Sequence, residues 1–471
     1  MTLFGNEVRT LRESLKITQR AVAEALGIGV PMYSRIERGE RIIRKEQICI
    51  IANTLGIDPQ NLIKLWLADQ ISSVISGEEA VFNEVVDIAR QGMHESSKKK
   101  DNKIRLATVF SGIGAIEQAL VKQNIPHEIM LACDNGERIL KQSEEEIRKH
   151  LAGKTEQEVA EYIDQLYEQT KKPNNQQTTY FANYTIDPGR WHNDIRFVNG
   201  SSLAGAVDLF VGGSPCQSFS SNGKRGGFDD TRGTLFYEYV RLVKEITPNV
   251  FIFENVSGLL VHDHKNTWKV IKNVFASLDY DIYINHDENG EELPYLDAQD
   301  YGVPQRRKRI FVVGIKKGLT ATPFKFPSKY PLKTKVADYL EPNVHAKYYL
   351  GEKGFKFVTS SPTRARIAGD VMGCQKANQQ FNWNGDFIFE PLEQVKDRPD
   401  VLKKAYVSTL NGREGVIRKF TPRECLRLMG YPDSFKIVMP DTEMYRQCGN
   451  SIVVNVLEEI VKELYNCGAL K

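Results

Sequence analysis

Apolar positions along the chain change their period more than once. Over residues 6–68 the spacing is helical, with Val8, Leu11 and Leu15 on one face. Thr18 is placed to cap a second helix, Gln19 to Leu26, through its hydroxyl. Gly27-Ile28-Gly29 makes a tight turn, and Pro31 suits the first turn of a third helix running through Tyr33, Ile36 and Arg38. Helices from Glu46 to Leu55 and from Pro59 to Leu67, the latter capped by Asp58, complete a compact all-α unit predicted over 1–70. Residues 71–103 carry a helical stretch and then the polar, like-charged run Ser96 to Lys103. Such a run cannot bury a face and reads as a linker.

From Ile104 the pattern becomes short apolar runs alternating with helical ones. Strands are predicted at 106–110, 128–132, 207–211, 249–254, near Tyr280 and at 309–314, with helices at 115–123, 235–245 and 267–278. That alternation predicts an α/β, doubly wound Rossmann-like domain over 104–324. It is interrupted over 137–180 by charged sequence in which Val159, Ile163, Leu166 and Tyr167 form an amphipathic stripe. Lys171 to Thr179 reads as loop, and the whole as an insertion packed on the domain edge. Residues 325–415 lose the rhythm, are rich in Lys, Pro, Gly, Asn and aromatics, and hold short strand-like pieces such as Phe387-Ile388-Phe389. They are predicted to form a small, irregular, mostly-β domain. Helical pattern returns at Thr421, a cap followed by Pro422, and ends with a helix from Val454 to Leu464. Residues 416–471 are therefore expected to complete the α/β domain.

Composition narrows the chemistry. The 471 residues carry a formal charge of +3, so a basic surface has to be local rather than global. Seven scattered cysteines (49, 133, 216, 374, 425, 448, 467) show no CxxC pair and no His/Cys metal spacing. Disulfides and bound metal are not expected, and a reducing cytoplasm is. The N-terminus has no signal-peptide pattern, and no apolar run reaches the roughly 18 residues needed to span a bilayer.

The candidate chemistry lies at strand ends, where open α/β sheets collect ligands. Cys216 follows the run 207–211 and Gly212-Gly213-Ser214-Pro215. Glu254-Asn255 and Gln305-Arg306-Arg307-Lys308-Arg309 stand beside other apolar runs, so a thiol, a carboxylate and an arginine pair suggest one active site. The strand–turn–helix with Ser111-Gly112-Ile113-Gly114 builds a nucleotide-type cradle. Asp134 at the next strand end can accept from ribose hydroxyls, and Asn193-Asp194-Ile195 could read an adenine. The three fit an adenosine-bearing cofactor. The glycine- and cation-containing segment 220–233 reads as a mobile, phosphate-seeking loop.

Phe-Ser-Gly-Ile-Gly, Ser-Pro-Cys-Gln-Ser-Phe-Ser, Glu-Asn-Val, Gln-Arg-Arg-Lys-Arg, Arg-Glu-Cys-Leu-Arg-Leu-Met-Gly-Tyr-Pro and Gly-Asn-Ser occur in this order. Together they resemble the bacterial DNA (cytosine-5) methyltransferases of restriction-modification systems. The resemblance implies S-adenosylmethionine as cofactor, S-adenosylhomocysteine as product, and a cytosine flipped out of double-stranded DNA. It implies Cys216 as nucleophile at carbon 6, Glu254 as the partner of ring nitrogen 3, Arg309 on the 2-carbonyl oxygen, and Arg307 bracing the cysteine loop or backbone phosphates. For the cofactor it implies Phe110, Gly112, Gly114, Asp134, Asp194, Ile195, Pro215, Leu235, Asn450 and Ser451. The aspartate at 134 departs from the usual glutamate. For DNA it implies a lid over 217–233 with Asn222, Lys224, Arg225 and Arg232, and recognition by 325–415. There Thr409-Leu410 resembles the pair that ends recognition domains, and Arg364, Arg366, Gln375, Lys376, Gln379, Gln380 and Arg413 are candidate readers.

Thr18-Gln19 to Ile28 followed by Tyr33 to Gly39 resembles the Cro/Xre-type helix-turn-helix family. That resemblance implies Pro31, Met32, Tyr33, Ser34 and Arg35 facing bases, with Gln19 and Arg41 on phosphates. The expected partners are double-stranded DNA and, functionally rather than physically, a cognate restriction endonuclease, with no membrane. The expected state is a monomer on its methylation site, with a dimer through the helix-turn-helix left open, in the bacterial cytoplasm at the nucleoid. RNA cytosine-5 methylation, or a transcription regulator with a degenerate methyltransferase body, are the alternatives.

Overall fold

The computed structural model describes residues 2–41, 43–75, 77, 103–214, 235–380 and 383–471. The chain divides into two compact units, residues 1–89 and 90–471.

The first unit holds α1 (Leu3–Ser14), α2 (Gln19–Ala25), α3 (Val30–Glu37), α4 (Lys45–Leu55) and α5 (Pro59–Ile75). Thr2 caps α1, and Thr18 caps α2 by accepting from the Ala21 N–H at 3.2 Å. Val8, Val22, Tyr33, Ile36, Ile48, Ile51 and Leu62 form the core. Leu15, expected on the inner face of α1, caps its C-terminus instead and is exposed, because the helix ends at Ser14. Beneath the core Arg12 and Glu37 pair at 2.6 Å with side chains only 10% and 2% exposed. Gln19 donates to the same carboxylate at 2.7 Å.

In the second unit β1 (Ile104–Val109), α6 (Ala115–Lys122) and β2 (His127–Cys133) open an α/β sheet. There follow α7 (Glu144–Leu151), α8 (Glu156–Glu168), α9 (Asn175–Asn183), β3 (Trp191–His192), β4 (Leu209–Gly212), α10 (Leu235–Ile246), β5 (Val250–Val256), α11 (Asn266–Ala276), β6 (Tyr280–Ile284), β7 (Tyr295–Asp297) and β8 (Lys308–Lys316). The order is β3-β2-β1-β4-β5-β8-β6, with β7 also on β8. The pairs from β3 to β5 are parallel, while β8 runs antiparallel to both β5 and β6.

Both faces are covered, and the period-two alternation of each strand decides what goes where. Val250 and Ile252 of β5 join Ile116 and Leu120 of α6, whereas Phe251 and Phe253 join Phe236 and Tyr239 of α10 and Phe275 of α11. The first face is completed by α13 (Pro422–Arg427), α14 (Asp441–Asn450) and α15 (Val454–Asn466) at the end of the chain, which follow α12 (Glu352–Ser360).

The insertion packs on itself through Ile147, Ile163, Leu166 and Tyr167. The stretch read as loop at 171–179 becomes α9 from Asn175 onward. Asn174 caps it by accepting from the Gln177 N–H, and Thr179 and Tyr180 are buried.

The small sheet, β11-β12-β10-β9, comprises β9 (Ala365–Ile367), β10 (Gly385–Pro391), β11 (Ser408–Leu410) and β12 (Arg413–Arg418). Fully buried Arg418 bonds Glu390 on β10 and, at 2.8 Å, Glu424 on α13, tying this sheet to the carboxyl-terminal helices.

Candidate active site

Adjacent strands bring three sequence-distant residues to one sheet edge. Gly212 on β4 pairs with Phe253 on β5, and Val256 on β5 pairs with Arg309 on β8. Glu254 therefore lies between the loop root at Gly213 and the Arg309 guanidinium, whose Nε is 3.1 Å from Glu254 Oε1. A Cβ on Gly213 would stand 2.6 Å from Glu254 Oε2, so only glycine leaves the carboxylate its place. Buried Asn255 donates from Nδ2 to the Ser214 carbonyl at 2.8 Å, fixing the same root. Burial pushes the Glu254 carboxyl above its ordinary range, and the charges of Arg309 and Arg307 offset that in part. Pro215, Cys216, Asn222, Lys224, Arg225 and Arg232 lie outside the described residues.

Of the two roles expected for Arg307, bracing the cysteine loop falls on residues outside the described ones, and phosphate contact does not fit its place. It is 2% exposed, and its guanidinium donates to the carbonyls of Gln375 (2.7 Å), Gly449 (2.9 Å) and Ser451 (2.6 Å). A cation so enclosed does not reach DNA phosphates, and burial pushes its pKa down to about 10. It joins β8 to the small-sheet segment and to the end of α14. Gln305 does similar work, donating to the Leu428 carbonyl and accepting from the Gln375 N–H.

The segment brought against Gln305–Arg309 is thus 372–375, whereas Thr409 and Leu410 stand on β11, paired with Glu414 and Arg413. Cys374 Sγ lies 3.4 Å from one Arg307 nitrogen and 4.0 Å from one of Arg309. Sequence reasoning passed over it. Among the candidate readers, Gln375, Gln379 and Gln380 are buried and Arg366 pairs with Asp386. Arg364 lies over the Phe357 ring, and Lys376 and Arg413 are exposed.

The expected cofactor residues separate into two groups. Phe110, Gly112, Asn450 and Ser451 line one cleft with Val211, Gly212, Gly213 and Glu117. Phe110 and Gly112 both adopt left-handed backbone (φ 54°), and a Cβ on Gly112 would meet nothing closer than 4.0 Å. The chain can therefore be approached closely there. Asp134 abuts the cleft by accepting from the N–H groups of Gly112 (2.9 Å) and Gly136 (2.8 Å). Its carboxyl is pushed up by burial, against those two bonds. Gly114 caps α6 beneath the Tyr184 ring.

Asp194, Ile195 and Leu235 stand apart from that lining. The Asp194 carboxylate is engaged by Arg196 at 2.6 Å and by the Tyr167 hydroxyl from the insertion at 2.8 Å, which competes with any adenine contact. Ile195 is buried in the core, and Leu235 begins α10. An open glycine turn, a helix N-terminus and an orphaned buried oxygen on Glu117 fit an adenosyl amino-acid cofactor.

In the helical unit Tyr33 does not face bases. It is wholly buried, because Tyr33, Ile36 and Glu37 form the inner face of α3. Gln19, bonded to Glu37, is likewise drawn to the core rather than to phosphate. Pro31, Met32 and Arg35 form the exposed face, with Ser34 half-buried beside them, and Arg41 is exposed. Among the described residues no cluster of His, Cys, Asp and Glu could hold a metal, and no helix is long and apolar enough to cross a membrane.

Known proteins resemble this chain in sequence and in fold. The chain is 34% identical to the type II methyltransferase M1.ScrFI of Lactococcus lactis subsp. cremoris, over 61% of this chain and 68% of that one. It is 34% identical to M.HhaI of Haemophilus parahaemolyticus, over 62% and 84% respectively. In fold, a crystal structure of a Spodoptera frugiperda DNMT2 variant superposes with a TM-score of 0.51 at 18% identity, covering 77% of this chain and all of that one. Residues 8–62 match a family described as helix-turn-helix. Residues 104–466 match the family described as C-5 cytosine-specific DNA methylase, and the chain belongs to that family, with a helix-turn-helix unit at its amino-terminal end.

Proposed function

We propose that this enzyme methylates carbon 5 of a cytosine extruded from a specific duplex site, with Cys216 as nucleophile and Glu254 and Arg309 as its partners on the ring. Carbon 5 of cytosine is a poor nucleophile until something adds at carbon 6. A thiolate suits that addition, being strongly nucleophilic and a competent leaving group. As Cys216 adds, ring nitrogen 3 becomes basic. The Glu254 carboxyl, held above its ordinary range by burial, supplies a proton or a strong hydrogen bond there. Arg309, 3.1 Å from that carboxyl, orients it and donates to the 2-carbonyl oxygen. S-adenosylmethionine, when bound, would supply the electrophilic methyl group and leave S-adenosylhomocysteine as its product. Loss of the carbon 5 proton then lets Cys216 leave. Phe110, Gly112, Asp134, Asn450 and Ser451 would hold the donor, and Arg307 is a positioning residue that keeps three chain segments in register.

The observation that carries this reading is the carboxyl–guanidinium pair against Gly213, three residues before Cys216 in sequence. The same reading makes the enzyme the protective half of a restriction-modification system in the bacterial cytoplasm, acting as a monomer on double-stranded DNA. Its helix-turn-helix unit regulates transcription of its own gene. Duplex libraries carrying 5-fluorocytosine, incubated with S-adenosylmethionine, are expected to give a protein–DNA adduct stable to denaturing electrophoresis. The adduct should be absent for Cys216→Ser. If no library duplex yields it with the native chain, the mechanism is wrong. Deleting residues 1–95 should leave methylation intact and abolish promoter binding; loss of methylation would place the helical unit in the catalytic machinery instead.

A further inference from the structure

Glu117 lies in the first turn of α6 and is entirely buried. Its Oε1 accepts from the Tyr180 hydroxyl at 2.5 Å and the Thr108 hydroxyl at 3.2 Å. Its Oε2 is buried with no partner, although the residue lines the cleft beside Phe110, Gly112 and Ser451. No lysine or arginine among the described residues pairs with it. The titratable groups that face it are Tyr180 and Tyr184 from the α9 region and Tyr431 from the turn after α13. All three are pushed by burial to stay neutral. An ionised carboxylate in such a place is costly. Burial pushes the Glu117 carboxyl up to about 7, against the bonds from Tyr180, its own N–H and Thr108. Since Oε1 already accepts two hydroxyl hydrogens, the proton belongs on Oε2. That O–H then has nothing on the protein to donate to.

The same wall carries the N-terminus of α6, whose first-turn N–H groups are left over by helix geometry and favour an anion. Two kinds of donor therefore converge on one end of the cleft, and both select a carboxylate. We propose that Glu117, as a neutral acid, donates from Oε2 to the α-carboxylate of the methionyl end of the cofactor, closing a carboxylate site with the helix N-terminus. This rests on reading the cleft as the S-adenosylmethionine site. Tyr180, which orients the acid, comes from α9 at the end of the insertion, so cofactor affinity is coupled to the packing of α9.

The test is calorimetric binding of S-adenosylhomocysteine to the full chain, native and Glu117→Gln, between about pH 6 and about pH 8.5. The native Kd is expected to rise about tenfold per pH unit above about pH 7, as the acid loses its proton. Glu117→Gln, which keeps a donor at Oε2 without titrating, should bind at about pH 6 within a few-fold of native and stay flat. Decarboxylated S-adenosylmethionine should show no such dependence with either protein. A flat native profile overturns the proposal without need of the variant. Native binding that tightens as pH rises, with Glu117→Gln weak throughout, would mean an ionised carboxylate on the cofactor ammonium and also overturns it. Complete absence of S-adenosylhomocysteine binding to the native chain would remove the cofactor reading itself.

Discussion

Replacing Gly213 by alanine separates stability from catalysis in this site. The backbone there is outside the left-handed region, so the added methyl is opposed by contact alone. It would lie 2.6 Å from Glu254 Oε2 and 3.0 Å from the Glu254 carbonyl oxygen, where ordinary contact begins at 3.4 Å. The carboxylate end has to retreat by about 0.8 Å from Gly213, which disturbs the 3.1 Å contact it makes with the Arg309 Nε. Because the closest atom is the far end of a side chain and the backbone oxygen has to give by only a few tenths of an ångström, the folding cost is modest, about 1 kcal/mol. In a unit of this size that lowers Tm by about 1–2 °C. A catalytic group misplaced by nearly 1 Å costs on the order of 10² in rate. The assay is the initial rate of labelled methyl transfer to duplex DNA at saturating cofactor, beside a thermal melt of the same preparation. A kcat within threefold of native would refute the claim that Glu254 must stay where glycine lets it lie. So would a loss of activity accounted for by unfolding.

Other consequences follow from the same geometry. Glu254→Gln should lower kcat by about 10²–10⁴. A carboxyl raised by burial must be protonated to act, so native kcat/KM should fall as pH rises through its pKa, and the variant should lose that limb of the profile. Breaking the buried Arg12–Glu37 pair with Glu37→Ala should destabilise the helical unit by about 3–5 kcal/mol in chemical denaturation. Burial alone would raise the Glu37 carboxyl, but bonds from Arg12, Gln19 and Tyr33 hold it below its ordinary value. Its contribution is therefore present above about pH 4.5 and lost as pH falls through the depressed folded value. Tyr33→Phe removes a hydroxyl buried inside the bundle beside Glu37 and should leave operator affinity unchanged, whereas Arg35→Ala should weaken it measurably in a gel-shift titration.

What the sequence by itself determined is what short-range forces settle. The caps at Thr18 and Thr421, the period-two alternation that sends Val250 and Phe251 to opposite faces, and the α/β class follow from neighbours a few residues apart. The residue types at strand ends were legible for the same reason, since a strand's carboxyl end is a local feature. Only the tertiary structure decided which polar groups remain free to act. Arg307 finds carbonyl partners for its two terminal nitrogens 68, 142 and 144 residues away. Tyr33 has a reader's position in sequence but faces the core of its own bundle, and the Asp194 carboxylate is taken by a tyrosine from the insertion. Segment 372–375, with Cys374, reaches the arginines of β8 through a fold no motif spells out. Glu117 looks like an ordinary surface position on a helix until α9 and the carboxyl-terminal helices close over it. Burial is a property of the whole assembly, and burial decides whether a charge is solvated, paired or left with a proton to give.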